Sequence, residues 1–266
     1  MAARRNIHLV SGIYFHIMEN MTSRTSPGNT PGLFPHTRWS VVLAARQQFS
    51  PESAAALETI CRAYWYPLYA YVRRSGQSRA DAQDLIQEFF CRLLEKRWLD
   101  SVSPDKGKLR SFLIVALKNF INKEWRRSSA QKRGGGQVPV PLDTAFAESR
   151  LAADSNAITP DEIFDQQWAL TLLDLTINRL RTEFTTVGKS SNFDVLKNCL
   201  MAVRGAIDYA AIAAQLGINE GAARVAIHRL RKRFREIYRE EISQTLADGA
   251  DLDQELRYLA AALARK

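Results

Sequence analysis

Cysteine is too scarce to staple this chain. Cys61, Cys91 and Cys199 are odd in number and far apart in sequence, so they define no disulfide framework. Cys61 and Cys91 sit beside apolar residues in helical patterns, as reduced core residues of a cytosolic protein do. The histidines His8, His16, His36 and His228 form no ligand spacing with them, so no metal site is expected. Gly134–Gly136 has no following Lys-Ser/Thr and reads as linker rather than a phosphate loop, and no nucleophile elbow or carboxylate pair stands out. The chain is therefore expected to have no catalytic residues and no cofactor, and not to be an enzyme. No apolar run approaches the roughly 20 residues of a membrane span. With 46% hydrophobic residues the chain can still bury real cores, so a cytoplasmic protein without a membrane partner is expected.

The amino terminus carries little folding information. Arg4 and Arg5 precede a short apolar run that Ser11, Gly12 and His16 interrupt, and no small-residue cleavage site follows, which argues against a signal peptide. Residues 21–35 are mostly Ser, Thr, Pro and Gly, too polar to bury a core. Residues 1–35 are thus expected to be a disordered extension, with Met18 or Met21 as alternative starts and order beginning near Thr37.

Charge is distributed unevenly. The net charge is +9, yet Lys106–Arg133 alone carries +8 and Arg224–Arg239 carries +6, so the remainder is acidic. Two basic patches on an acidic body point to two contacts with a polyanion, most simply nucleic acid.

From Thr37 to Trp125 the apolar periodicity is helical throughout. Three segments precede the first basic patch: Trp39–Gln48, an aromatic-rich stretch over Ala54–Val72, and a third helix over Ser78–Leu99. In the third, Ala82, Leu85, Ile86, Phe89, Phe90, Leu93 and Leu94 form the inward stripe. Asp81, Asp84, Gln87 and Glu88 are left outward, and Asp84 and Glu88 lie one turn apart. They make a compact acceptor face for an arginine-bearing partner helix.

A loop over Ser101–Gly107 leads into a helix over Lys108–Arg127. There Phe112, Leu113, Ala116, Leu117, Phe120 and Ile121 face inward, while Lys118, Asn119, Asn122, Lys123 and Arg126 face out. A basic helix with outward amides behind a polar loop suits single-strand capture, with phosphates neutralised and a base held out of the stack.

The second basic patch lies in a helix-turn-helix pattern from Ile207 to Tyr238. Asp208 caps a helix through Leu216, with Ile212 and Leu216 inward; Gly217 supplies a left-handed turn and Asn219 caps the next helix. Ala223, Ile227, Leu230, Phe234 and Ile237 form one apolar stripe. Ala222, Val225, Ala226, Arg229, Lys232 and Arg233 fall on the opposite side of the wheel. Small residues there let the backbone approach base edges, and Arg229 can pair with guanine or hold a phosphate.

The succession TRWSVVLAA, YPLYAYVRR, DAQDLIQEFFCRLL, GKLRSFLIVALKNFINKEWRR and the helix-turn-helix resembles bacterial RNA polymerase sigma factors of the extracytoplasmic-function group of the sigma-70 family. The resemblance covers about residues 36–127 and 161–245. It implies an all-α protein of two small helical domains: a region 2 domain over 36–127 for core polymerase binding and for minus-ten recognition and melting, and a region 4 helix-turn-helix domain over 161–245 for the minus-thirty-five element. By the same resemblance, Asp81, Asp84, Gln87 and Glu88 dock on the β′ clamp helices of core RNA polymerase, and the second domain meets the β flap. Lys108, Arg110, Lys118, Asn119, Asn122, Lys123, Arg126 and Arg127 hold the unwound minus-ten strand of promoter DNA. Ala222, Arg224, Val225, Ala226, His228, Arg229, Lys232 and Arg233 read the minus-thirty-five element. An anti-sigma factor is a further partner that the resemblance admits. Two features depart from the family pattern: Asn122 stands where Asp is common, and the second domain lacks the usual Leu-Pro lead-in.

Residues 128–160 read as a flexible linker ending at the helix start Pro160-Asp161-Glu162. About 30 flexible residues span roughly 30 Å root-mean-square, enough for two modules to reach separate promoter elements. The tail over 246–266 carries Leu252, Leu256, Leu259 and Leu263 at helical spacing. It is expected to fold back on the second domain, with partner binding as the alternative. Two other functions fit part of the pattern: a regulator sharing only the helix-turn-helix, and a helical scaffold or enzyme needing neither basic patch.

Overall fold

The structure, a computed structural model, describes residues 39–46, 51–103, 107–130, 158–246 and 249–265. The expectations for residues 1–35 and for most of the 128–160 linker fall outside these. Among the described residues the regular structure is helical and no strand occurs. No described helix is long and apolar enough to cross a membrane. The described residues divide into two compact units, one formed by those from Trp39 to Leu170 together with those from Gln244 to Arg265, the other by Thr171–Ser243.

The first unit is built on α1 (Trp39–Ala45), α2 (Pro51–Arg74), α3 (Arg79–Glu95) and α4 (Leu109–Ala130), with a 3₁₀ turn over Trp98–Ser101. In α2, Tyr64, Leu68, Tyr69, Ala70 and Val72 are all fully buried. Trp65 stacks on Tyr69 at 5.3 Å. The start of α3 is set by Ser78, whose hydroxyl accepts from the Asp81 amide at 3.1 Å and donates to its carboxylate at 2.6 Å. The helix buries Ala82, Ile86, Phe89, Phe90 and Leu93, as the apolar spacing requires. It stops at Glu95, one turn before the expected Leu99, because Arg97 takes a left-handed conformation (φ 52°) and opens the 3₁₀ turn. Phe89 then meets Trp98 at 6.0 Å and Phe120 of α4 at 5.9 Å, joining the three elements in one aromatic core.

The next helix, α5 (Pro160–Thr186), starts where the sequence places it. Thr159 and Glu162 form a reciprocal capping box: the Glu162 amide donates to the Thr159 hydroxyl at 3.3 Å, and Glu162 accepts from the Thr159 amide at 3.0 Å. The division between the units falls inside α5, after Leu170. Its first turns thus belong to the first unit, whereas the sequence reading began the second module at 161. The physical reason is Trp168, fully buried and stacked on Tyr64 at 4.5 Å with the rings 11° apart.

The C-terminal helix, α9 (Leu252–Ala264), also belongs to the first unit, not to the second as expected. Asp251 caps it by accepting from the Asp253 and Gln254 amides at 2.9 and 3.0 Å. Leu259 and Ala262 are fully buried, and Glu255 is buried with them, so the seat of the helix is part apolar and part ionic.

The second unit comprises the remainder of α5, α6 (Ser190–Leu196), α7 (Tyr209–Leu216) and α8 (Glu220–Ser243), with 3₁₀ turns at Lys197–Cys199 and Arg204–Ala206. Leu180, Phe193, Leu196, Cys199, Ile207, Ile227, Leu230 and Ile237 form its core. Asp208 caps α7, accepting from the Ala211 amide at 2.9 Å, and Gly217 ends it at φ 65°. Asn219 then accepts from the Ala222 amide at 2.8 Å to start α8. Each of these three positions matches its role in the sequence.

Replacing Trp168 by Ala should lower stability by about 3–5 kcal/mol, the usual cost of emptying a buried aromatic site. Urea unfolding followed by circular dichroism checks it; a loss well under 1 kcal/mol would show that this ring does not bind α5 to the first unit.

Candidate functional site

Three surfaces carry the charges singled out in the sequence. The first is the outer face of α3. Burial of Ile86, Phe89 and Phe90 turns Asp81, Asp84 and Glu88 to solvent, while Gln87 is half-buried. Glu88 accepts from Arg92 one turn on, at 2.6 Å, and Arg92 also lies 3.9 Å from Glu124 of α4. The Asp84 carboxyl titrates above the usual carboxylate range, first through partial burial and then through the nearby Asp81 charge. An acid in this state gains from any cation that approaches it.

The second surface is the exposed side of α4 and its surroundings. A cleft of about 970 Å³ lies beside Trp98, Val102, Phe112, Val115, Asn119 and Phe120, with Lys108, Lys123 and Lys96 at its margin. Apolar walls with an amide and cations at the rim match the needs of an unstacked base and its phosphates. Asn119, Asn122, Lys123 and Arg126 are exposed. The side chain of Arg127 lies outside the described residues.

Three cations expected on this face are held otherwise. Arg110 is buried, at 8% exposure, and its guanidinium binds Asp165 of α5 and, at 3.0 Å, Glu255 of α9. It is not available to a phosphate in this structure, contrary to the strand-holding role that the resemblance implies for it; the carboxylates that draw it inward come from distant segments. Lys108 also pairs with Glu255, and Lys118 meets Asp161 at 2.6 Å with its ammonium 5.6 Å from the Tyr71 ring centre. Hydrogen bonding to Asp161 raises the Lys118 pKa.

The third surface is the outer side of α8. Ala222, Arg224, Val225, His228, Arg229 and Lys232 are exposed. The Arg224 guanidinium also lies over the Tyr209 ring of α7, at 3.9 Å. Ala226 is half-buried against the core, and Arg233 is engaged by Glu183 of α5 through two bonds of 2.9 and 2.7 Å. Arg233 also reaches Glu236 at 3.3 Å, so its charge is largely answered within the unit. These two therefore depart from the outward set.

Arg231 adds to the charge of the second basic patch, yet its guanidinium turns inward. It donates to the Cys199 carbonyl at 2.9 and 2.6 Å and also to that of Ala202, pinning the loop ahead of α7. Arg179 of α5 binds Glu240 and, at 2.8 Å, Glu241 near the end of α8. Nothing in the local sequence signals either contact, since the partners are tens of residues away. Burial pushes the Cys61 pKa far up and that of Cys91 to about 12, which holds both thiols in the protonated, weakly nucleophilic form.

Residues 61–131 match the family model described as sigma-70 region 2. The matched stretch takes in most of α2, all of α3 and α4, and so both the acidic face and the cleft. No match was found among curated proteins or among solved structures. This part of the chain is similar to sigma-70 region 2, and the likeness supports a role in binding RNA polymerase and recognising promoters.

Arg231→Ala should destabilise the second unit by about 1.5–3 kcal/mol, since two carbonyls lose a charged donor. Thermal unfolding checks this, and an unchanged midpoint would show that the loop holds without it.

Proposed function

We propose that the chain is a sigma factor of the extracytoplasmic-function group, which binds core RNA polymerase and directs promoter recognition, DNA melting and the start of transcription in the cytoplasm. The observation that carries the reading is the coincidence, within the residues matching sigma-70 region 2, of an exposed acidic helix face and an apolar cleft rimmed by cations. A plain DNA-binding regulator has no use for the acidic face.

In this reading Asp81, Asp84, Gln87 and Glu88 meet the basic side of the β′ clamp helices. The cleft beside Phe112 and Asn119 takes an unstacked base of the minus-ten element, and Lys123 and Arg126 neutralise the adjacent phosphates. The outer side of α8, with Arg229 at its centre, lies in the major groove of the minus-thirty-five element as the second helix of a helix-turn-helix, and its unit meets the β flap. An anti-sigma protein that covers the acidic face would hold the factor inactive.

The direct test is promoter-dependent run-off transcription by core RNA polymerase with the purified chain. Transcripts from defined start sites are expected; none on any genomic template, with no retention of core enzyme, would contradict the reading.

Reversing charge with Asp84→Arg and Glu88→Arg should abolish most co-purification with core enzyme while sparing the fold, because both side chains are exposed. Core binding should also weaken toward acid. The free Asp84 pKa is raised, a cationic partner favours the ionised form, and binding therefore releases a proton and is favoured above that pKa. A pull-down across an acidic pH series checks the sign.

Arg229→Ala should cost on the order of 1–3 kcal/mol of promoter discrimination if it contacts a base. Competition binding with matched and scrambled duplexes reads this, and an equal loss on all sequences would mean a phosphate contact instead.

A further inference from the structure

Three cations at the α4 edge of the first unit are paired, and every carboxylate that pairs them comes from outside the segment matching sigma-70 region 2. Glu255 of α9 takes both Lys108 and Arg110, Asp165 of α5 takes Arg110 from the other side, and Asp161 takes Lys118. Glu255 is only 3% exposed. Tyr258 completes the arrangement by donating to Asp165 and standing 4.9 Å from the Arg110 guanidinium.

A carboxylate bridging an ammonium and a guanidinium offers two oxygens and one negative charge, as a phosphodiester does. Permanent attachment of α9 would not require such groups, because buried ion pairs are a poor source of stability and apolar side chains of like volume serve as well. Leu259 and Ala262 already supply an apolar seat.

We propose that α9 is an internal competitor of nucleic acid: through Glu255 it occupies the cations that single-stranded DNA phosphates take when the helix lifts away. The inference rests on the reading of the first unit as a strand-holding module. Binding of DNA and docking of α9 then exclude each other, and each weakens the other by the same factor. The closed arrangement keeps the free chain from binding single strands indiscriminately and leaves capture to conditions that release the tail.

The test uses the full chain and a fluorescently labelled single-stranded oligonucleotide, read by anisotropy. Glu255→Gln and Leu259→Asp should each tighten binding by about tenfold if the docked form is roughly nine-tenths populated. Ala260→Ser, on the exposed side of α9, should leave it unchanged. In parallel, amide exchange over residues 252–264 of the wild-type chain should quicken when the oligonucleotide is saturating.

Equal affinities in folded variants, or unchanged exchange in the wild type with DNA bound, would overturn the proposal. Should the variants fail to fold, the wild-type exchange measurement decides alone. Promoter-dependent transcription by the wild type separates the two readings: transcription with unaltered α9 exchange removes the competitor and keeps the sigma factor, whereas faster exchange without transcription does the reverse.

Discussion

Each helix of this protein must bury one side, and that constraint decides which charges remain to do anything else. In α3 the burial of Ala82, Ile86, Phe89, Phe90 and Leu93 leaves Asp81, Asp84 and Glu88 no place but the surface. In α8 the burial of Ala223, Ile227, Leu230 and Ile237 does the same for Arg224, Val225, His228 and Arg229. The apolar stripe is worth roughly 1.5–3 kcal/mol per large side chain, so the outward set cannot be exchanged for the inward one without unfolding the unit. Which charges these faces can offer a partner is thus set by packing.

Charge alone overstates what the basic patches offer. Arg110 and Lys108 are bound to Glu255, Lys118 to Asp161, and Arg233 to Glu183, while Arg231 holds two carbonyls of its own unit. Among the described residues of the two patches, the cations that stay outward are Lys123 and Arg126 on α4 and Arg224, Arg229, Lys232, Arg235 and Arg239 on α8. The surface available to a polyanion is therefore set as much by internal carboxylates as by the count of lysine and arginine.

Local features were legible in the sequence because their physics is local. The Asp208 cap, the left-handed Gly217, the Asn219 cap and the helix start at Pro160 each involve groups within a few residues of one another. The apolar periodicities of α3 and α8 were equally plain. The seat of α9 was not, since Lys108 and Glu255 lie 147 positions apart and an amphipathic tail fits any apolar surface. The inward turn of Arg110 was hidden for the same reason: Asp165 and Glu255 come to it only through the tertiary fold. Asp84 and Glu88 stood out because one turn of helix suffices to place them together.

The central claim is that the acidic side of α3 meets core RNA polymerase. A photoreactive amino acid placed at Asp84, with the same group at exposed Leu43 as a control, tests it most directly. Irradiation of the mixture with core enzyme should link position 84 to the β′ subunit and leave position 43 unlinked. Absence of a product at 84, or equal yields at both positions, would contradict the account.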